Sequence, residues 1–394
     1  MDTDTSKIMS EDAPWLVAPD ARAVWDAVVA GGHQIFFVGG CVRNALLGAP
    51  VSDVDLATSA VPSEVIKLVV AAGLKAVPTG IEHGTITVVS DGTSYEVTTF
   101  RRDVETDGRR AVVAFSTDIV DDARRRDFTM NALYADADGN IIDPLGGLND
   151  LRARRVRFIE DADQRIREDY LRALRYFRFQ AWYGDSTEGM DADALAAIGS
   201  NLSGLGTLSS ERVGSELRKL LSAPDPSMAL AAMAQTGVLG TILPGSDTRF
   251  LLLMIHGAEA IGAPPDWIGR LVPLGGADVP ERLRLGRAEQ RRFETIRRAA
   301  FDDVDLLETA FDYGADLALQ AYLIRCAIAE SLPDPATTVK IDRAAAQIFP
   351  ISANDLMPAY TGPALGERLA QLKAAWIASG FALGKADLLA MQAP

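Results

Sequence analysis

Strand-like patterning ends near residue 160 and does not return, which confines any sheet to the N-terminal part of the chain. There, "ARAVWDAVVAG" (21–31) predicts an amphipathic helix closing on Gly31-Gly32. "QIFFVGG" (34–40) predicts a short buried strand and "CVRNALLG" (41–48) a helix of about two turns. "VSDVDLATS" (51–59) reads as a second strand, and "PSEVIKLVVAAG" (62–73) as a helix opened by Pro62 and ended by Gly73. Two alternating runs, 84–92 and 94–100, meet at Asp91-Gly92, a hairpin signal. The stretch 101–116 is charged with little apolar period and reads as a flexible loop. Helical spacing resumes at about 118, and 140–159 reads as strand, turn and short helix. Beyond 160 the pattern is helical, punctuated by Gly and Pro at 184–190, 203–206, 223–226, 262–266 and 272–280. The class is α+β: a head with a mixed sheet and helices, then an all-helical remainder.

At 394 residues, with 48% apolar and 24% charged residues, the chain has material for several units and an ample core. No apolar run reaches the ~18 residues of a membrane span. The N-terminal "MDTDTSKIMSEDAP" is acidic and polar, unlike a secretory signal. Cys41 and Cys326 show no paired spacing, so neither a disulfide framework nor a zinc site is expected, and the expected compartment is the cytoplasm. His33, His83 and His256 are scattered and read as packing or surface residues. The net charge of −15 argues against a nucleic-acid partner when taken as a whole. It is unevenly spread: residues 101–180 balance 16 basic against 16 acidic side chains, and 281–298 holds seven arginines and three glutamates. A basic stripe on an acidic protein can still follow phosphates, because screening limits the relevant field to about 8–10 Å; a solvated helix face is the plainer alternative.

In "SDVDL" the carboxylates of Asp53 and Asp55 stand two apart, so on a strand both project from one face. Like charges so placed are relieved by a divalent cation, and oxygen ligands of this kind suit Mg2+, which takes one or two carboxylates plus substrate phosphates. An acidic pair alone can equally be a solvated strand end. Gly39-Gly40 lets backbone approach an anion at the start of a helix, and Arg43 sits in that helix's first turn. The spacing is not that of a Walker loop. Ten residues from the acidic pair, this turn makes a phosphate-plus-metal site the better reading.

The two stretches "GGCVRNALLG" and "SDVDLAT" together resemble the signature of the class II tRNA nucleotidyltransferase/poly(A) polymerase family. Three further segments resemble the family in order: "RRRDFTMNALYAD" (124–136), "DPLGGLNDLRARRVRFI" (143–159) and "EDYLRALRYFRF" (168–179). A looser likeness covers "GPALGERLAQLKAAWI" (362–377). The resemblance implies a polymerase-β-like nucleotidyltransferase head followed by helical neck, body and tail, here expected over 1–155, 156–225 and 226–394, the last binding tRNA. One departure is Asn44, where the family usually has Asp after the arginine, so the hold on Arg43 is uncharged here.

Carried over by resemblance, Asp53 and Asp55 bind Mg2+, Gly40 and Arg43 hold the incoming triphosphate, and Arg126 contacts the nucleotide. Glu96, on the neighbouring run, is the candidate third carboxylate, with an edge-strand surface residue as the alternative. In 168–179, Asp169, Arg172, Arg175 and Arg178 recur every three residues on what reads as one helix. Asp169 and Arg172 can mimic a pairing base: a carboxylate accepts from an exocyclic amine, and a guanidinium donates to ring acceptors. C and A present that pattern, whereas U and G do not, and a mismatch leaves buried polar groups unpaired. Glu168 is placed to brace Arg172, with Arg175 and Arg178 turned toward triphosphate or neighbouring carboxylates. The loop 101–116, with "DGRR" at its centre, fits the family's segment for switching from C to A addition. The implied activity is untemplated addition of C, C and A to tRNA from CTP and ATP. Poly(A) or A-only addition, and a non-catalytic tRNA-binding protein, remain as alternatives. No stable protein partner and no membrane are expected, and phosphate contacts are expected from the 281–298 arginines and from 362–377.

Overall fold

The computed structural model describes residues 7, 8, 11, 13–107, 110–302 and 304–391, with side chains described outside 103–113. The chain divides into two units, Met1–Leu208 with Gln235–Thr241, and Ser209–Ala234 with Ile242–Pro394.

The first unit carries a seven-stranded sheet. Its strands are β1 (Ile35–Val38), β2 (Asp55–Thr58), β3 (Lys75–Gly80), β4 (Thr85–Ser90), β5 (Thr93–Thr99), β8 (Tyr134–Ala135) and β9 (Ile141–Ile142), in the order β3-β4-β5-β2-β1-β8-β9. A separate hairpin pairs β6 (Arg101–Asp107) with β7 (Arg110–Phe115). Only β2 and β5 run parallel; the other pairs are antiparallel. The β4–β5 turn falls at Asp91-Gly92, whose φ values of 46° and 83° are those of a two-residue hairpin turn.

The sheet sits between two apolar layers. On one side α1 (Pro19–Ala30) and α3 (Pro62–Ala71) pack on β3, β4 and β5. Alternation along β1 sends Phe37 toward Trp25 of α1, with ring centroids 5.0 Å apart. Phe36, pointing the other way, stacks on Phe100 and meets the Tyr134 ring edge-on. That second layer is closed by Val38, Ala57, Ala123, Ala132 and Ile159. Short helices complete the head: α2 (Gly40–Leu46), α4 (Ile119–Arg124) and α5 (Gly147–Arg152). Next come α6 (Ala162–Glu168) and α7 (Leu171–Tyr183). Phe128, Phe158, Tyr176 and Phe179 form an aromatic block that fixes α7 to the segment following Arg126. The second unit is helical throughout its described elements.

Several expectations change. The stretch 101–116 is a β-hairpin rather than a loop; of its "DGRR" centre, Gly108 and Arg109 lie outside the described residues. Charge on both faces of 101–107 removes the apolar alternation, while ladder pairing needs only backbone N–H and C=O groups. The segment 168–179 is not one helix: α6 ends at Glu168, Asp169 is extended (φ −152°, ψ 105°), and α7 begins at Leu171. The Asp169 carboxylate accepts from Leu171 N at 3.1 Å, the competition with helix formation that short polar side chains offer. Asp53 lies before β2 rather than within it. The breaks at 184–190, 223–226 and 262–266 fall between helices, whereas 203–205 are helical and Pro273 is the penultimate residue of a helix. No helix among the described residues is long and apolar enough to cross a membrane.

Candidate active site

Three positions line up across the sheet: Val38 is the Cα partner of Asp55, and Asp55 is the partner of Glu96. The glycine turn follows directly from Val38, so strand pairing alone brings Gly39-Gly40 to the end of the acidic row. Gly39 has φ 73°, a left-handed conformation, and a Cβ there would meet Arg126 Nη1 at 3.3 Å. Its N–H donates to Leu133 O at 3.1 Å, fastening the turn to β8's approach. Gly40 opens α2.

Asp53 is exposed and accepts from Ser52 Oγ at 2.8 Å. Burial, then the neighbouring Glu96 and Asp53 carboxylates, raise the Asp55 carboxyl from 3.8 to about 6, with Arg126 pulling the other way. A carboxyl so perturbed is one that a nearby cation would return to its charged form. Among the described residues no three His, Cys, Asp or Glu side chains converge as a closed metal cage. Two carboxylates, Asp53 just before β2 and Asp55 at its first residue, suit a hard cation whose remaining ligands are phosphate oxygens and water.

Arg126 is held from behind. Its Nη2 donates to Asp122 Oδ2 at 2.9 Å, and its Nε donates to the Tyr134 hydroxyl at 3.2 Å. Burial works against its charge, but the Tyr134 phenol and the Asp122 carboxylate outweigh it and keep Arg126 firmly protonated. Its remaining terminal nitrogen points to the Gly39 turn. Asp122 is 0% exposed and also accepts from Arg125 Nε at 2.7 Å and from the Tyr134 hydroxyl at 2.7 Å.

Arg43, in the first turn of α2, is 7% exposed. Its Nη2 donates to Asn44 Oδ1 at 2.8 Å and to the Tyr183 hydroxyl at 2.9 Å, and its Nη1 donates to Asn131 Oδ1. Burial lowers its affinity for the proton, with Tyr183 and Asp127 opposing. Asn44 does hold Arg43, and its Nδ2 donates to Pro50 O at 2.7 Å, tying α2 to the approach to the acidic pair.

On α7, Arg172 Nη1 donates to Glu168 and to Arg165 O (2.9 Å), and its Nη2 donates to Arg125 O at 3.1 Å. The expected Glu168 brace is present. Arg175 Nε donates to Asp127 Oδ2 at 2.7 Å, and Arg178 lies 4.6 Å from the Phe179 ring centroid. Asp127 is buried, with 8% exposure; burial pulls its pKa up, but Arg175 and Asn131 hold it down at about 2. Asp55, Glu96, Arg43, Arg126, Arg172 and Arg175 are thus connected through a continuous set of contacts inside the first unit. Asp122, Asn131 and Tyr183 were not among the expected site residues. Asp122 has a local signal in its i,i+4 spacing to Arg126, and Asn131 stands four residues from its partner Asp127 within the family-like segment 124–136; Tyr183 has neither.

A glycine turn at the end of a strand, facing carboxylates on the next two strands, is the frame of a nucleotidyltransferase head. Residues 35–157 match the family described as Poly A polymerase head domain, and 189–249 match that described as probable RNA and SrmB-binding site of polymerase A. The CCA-adding enzyme of Geobacillus thermodenitrificans is 44% identical over 216 residues, 54% of this chain and 52% of that one. The mitochondrial CCA tRNA nucleotidyltransferase 1 of Mus musculus is 31% identical over 98% of this chain and 92% of its own length. A solved structure of the Bacillus stearothermophilus CCA-adding enzyme in complex with CTP superposes with TM-score 0.68 at 29% identity, covering 91% of this chain and 92% of that one. The chain belongs to the tRNA nucleotidyltransferase/poly(A) polymerase family. Members of this family work with a divalent metal.

Proposed function

We propose that this protein adds C, C and A to the 3′ end of tRNA from CTP and ATP, releasing pyrophosphate, with Mg2+ as its metal. The observation that carries the reading is the row Val38–Asp55–Glu96, with the glycine turn at one end and Asp55 raised to about 6. The RNA 3′-oxygen attacks the α-phosphorus, a P–O bond forms, the bond to the β-phosphate oxygen breaks, and pyrophosphate leaves. The hydroxyl proton passes to a carboxylate, a role we give to Glu96 because it pairs with Asp55 across β2 and β5. Asp53 and Asp55 would hold Mg2+, which would supply neutralisation of the charge that develops on the attacking and leaving oxygens. Gly40, Arg43 and Arg126 receive the triphosphate at the turn. Asp169 and Arg172 read the base edge, with Glu168 orienting Arg172, and Arg175 and Arg178 complete the basic wall.

The tRNA contacts we assign to the second unit rest on the helix Arg287–Phe301. Arg287, Arg291 and Arg298 make no ion pair among the described residues and line one groove with Thr295, Tyr313 and Leu317. The stretch 362–377 supports no such role, because Arg368 is buried and donates to Met391 O, while Lys373 is engaged with Asp312 and Glu308. Two free, buried cysteines fit a reducing cytoplasm.

The test is incubation with tRNA ending at the discriminator base, Mg2+ and labelled nucleotides, singly and together, followed by sizing. The reading requires a three-nucleotide product from CTP plus ATP, and its loss in Asp53→Ala/Asp55→Ala with tRNA binding retained. An adenosine ladder would point to poly(A) addition, one added A to an A-only enzyme, and unaltered function in the double variant to a binding protein.

A further inference from the structure

Of the routes of contact that join the phosphate turn to α7, one runs from Arg126 through Asp122 and Arg125 to Arg172, and two pass through Arg43. In the first of these two, the Arg43 guanidinium carbon lies 4.1 Å from the Tyr183 ring centroid and 5.1 Å from that of Phe179. Its Nη2 also donates to the Tyr183 hydroxyl at 2.9 Å. Tyr183 is the last residue of α7. In the second, Arg43 donates to Asn131 Oδ1, and Asn131 Nδ2 donates to Asp127 Oδ1 at 2.9 Å. Asp127 in turn accepts from Arg175 in the middle of α7 at 2.7 Å.

The oxygens that touch Arg43 directly, from Asn44, Asn131 and Tyr183, are all uncharged. A carboxylate in their place would orient the guanidinium but also neutralise it. Uncharged acceptors and an aromatic face orient it while leaving its charge for an outside anion. A packing clamp alone needs no cation at this place, and burying one without a carboxylate is costly unless something anionic arrives.

We propose that Tyr183 and Asn131 are positioning residues that hold the Arg43 guanidinium toward the nucleotide's phosphate tail and tie its placement to the middle and C-terminal end of α7, the helix that carries Arg172 in its first turn. This rests on the reading of the chain as a nucleotidyltransferase. It makes the grip on phosphate depend on the helix that chooses the base, so disturbing the link degrades both triphosphate affinity and base selection.

The experiment compares the full chain with Tyr183→Leu, Tyr183→Phe and Asn131→Ser. Calorimetric binding of inorganic tripolyphosphate reads the phosphate site alone, and single-nucleotide addition to tRNA gives kcat and KM for CTP, ATP and UTP. Loss of the aromatic face in Tyr183→Leu is expected to weaken tripolyphosphate binding about tenfold, and loss of one hydrogen bond in Tyr183→Phe about threefold. The KM for CTP and ATP should rise in the same order, with kcat little changed and the preference for CTP over UTP reduced. Asn131→Ser should act in the same direction, so the outcome does not depend on whether Tyr183→Leu folds. A folded variant with lowered melting temperature but unchanged tripolyphosphate affinity and CTP/UTP preference would overturn the proposal. Absence of CCA addition by the wild-type chain would instead overturn the functional reading, while the tripolyphosphate arm still judges the link.

Discussion

Replacing Asp122 by Asn should cost about 3 kcal/mol, and two estimates from the structure agree on that size. The carboxylate is 0% exposed and accepts from Arg125, from Arg126 and from the Tyr134 hydroxyl. Burial pulls its pKa upward, but the two arginines and the phenol outweigh burial and bring it from 3.8 down to about 2. A shift of that size corresponds to roughly 2–3 kcal/mol of stability at neutral pH. Independently, removing one member of a buried ion pair costs about 3–5 kcal/mol, because the remaining charge stays desolvated. For a unit of this size the melting temperature should fall by about 6–12 °C. The sign with pH is fixed by the depressed carboxyl: its contribution is complete above the unfolded value of 3.8 and disappears as pH falls through about 2. The gap between wild type and Asp122→Asn, followed by scanning calorimetry, should therefore be flat from about pH 5 to 8 and narrow below about pH 4. Because Arg126 loses its anchor, KM for the incoming nucleotide should rise in parallel. A variant melting within about 2 °C of wild type, or a gap that widens on acidification, would refute the reasoning.

Asp55 retains its proton up to about pH 6 in the metal-free site, so proton and cation compete for it. At subsaturating Mg2+, activity should fall roughly tenfold per pH unit below that point, and saturating Mg2+ should shift the profile to lower pH. Chelation should abolish nucleotide addition and leave tRNA binding intact, as a mobility-shift assay would show. Substituting Arg287, Arg291 and Arg298 with Ala should weaken tRNA binding at low salt. It should also flatten the dependence of log K on log salt by roughly 0.7–0.9 for each phosphate that is no longer neutralised; an unchanged slope would remove that helix from the interface.

Legibility in the sequence followed the range of the interaction. The Gly39-Gly40 turn was readable because a glycine pair between a strand and a helix is a local signal, whereas the two-residue period put Asp53 on a strand that begins only at Asp55. That Glu96 stands beside Asp55 is a tertiary fact, because a helix and two strands intervene between β2 and β5 and only their parallel register brings the two residues together. The hairpin β6–β7 was hidden because 101–107 carries charge at most positions, while ladder pairing uses backbone groups that no side-chain pattern reports. Asn131 and Tyr183 meet Arg43 across 88 and 140 residues of chain, a separation no local pattern encodes. Asp169 was misassigned for a related reason: its three-residue spacing to Arg172 is helical, but its carboxylate takes the amide of Leu171 and ends the register.

The extended backbone at Asp169 makes a joint between two rigid rods, α6 and α7. Asp169 sits at that joint and Arg172 one turn beyond it, where the Arg172 guanidinium reaches back to Glu168 and to Arg165 O and braces α7 against α6. In the proposed reading of the base edge, that brace across the break fixes the spacing of Asp169 and Arg172.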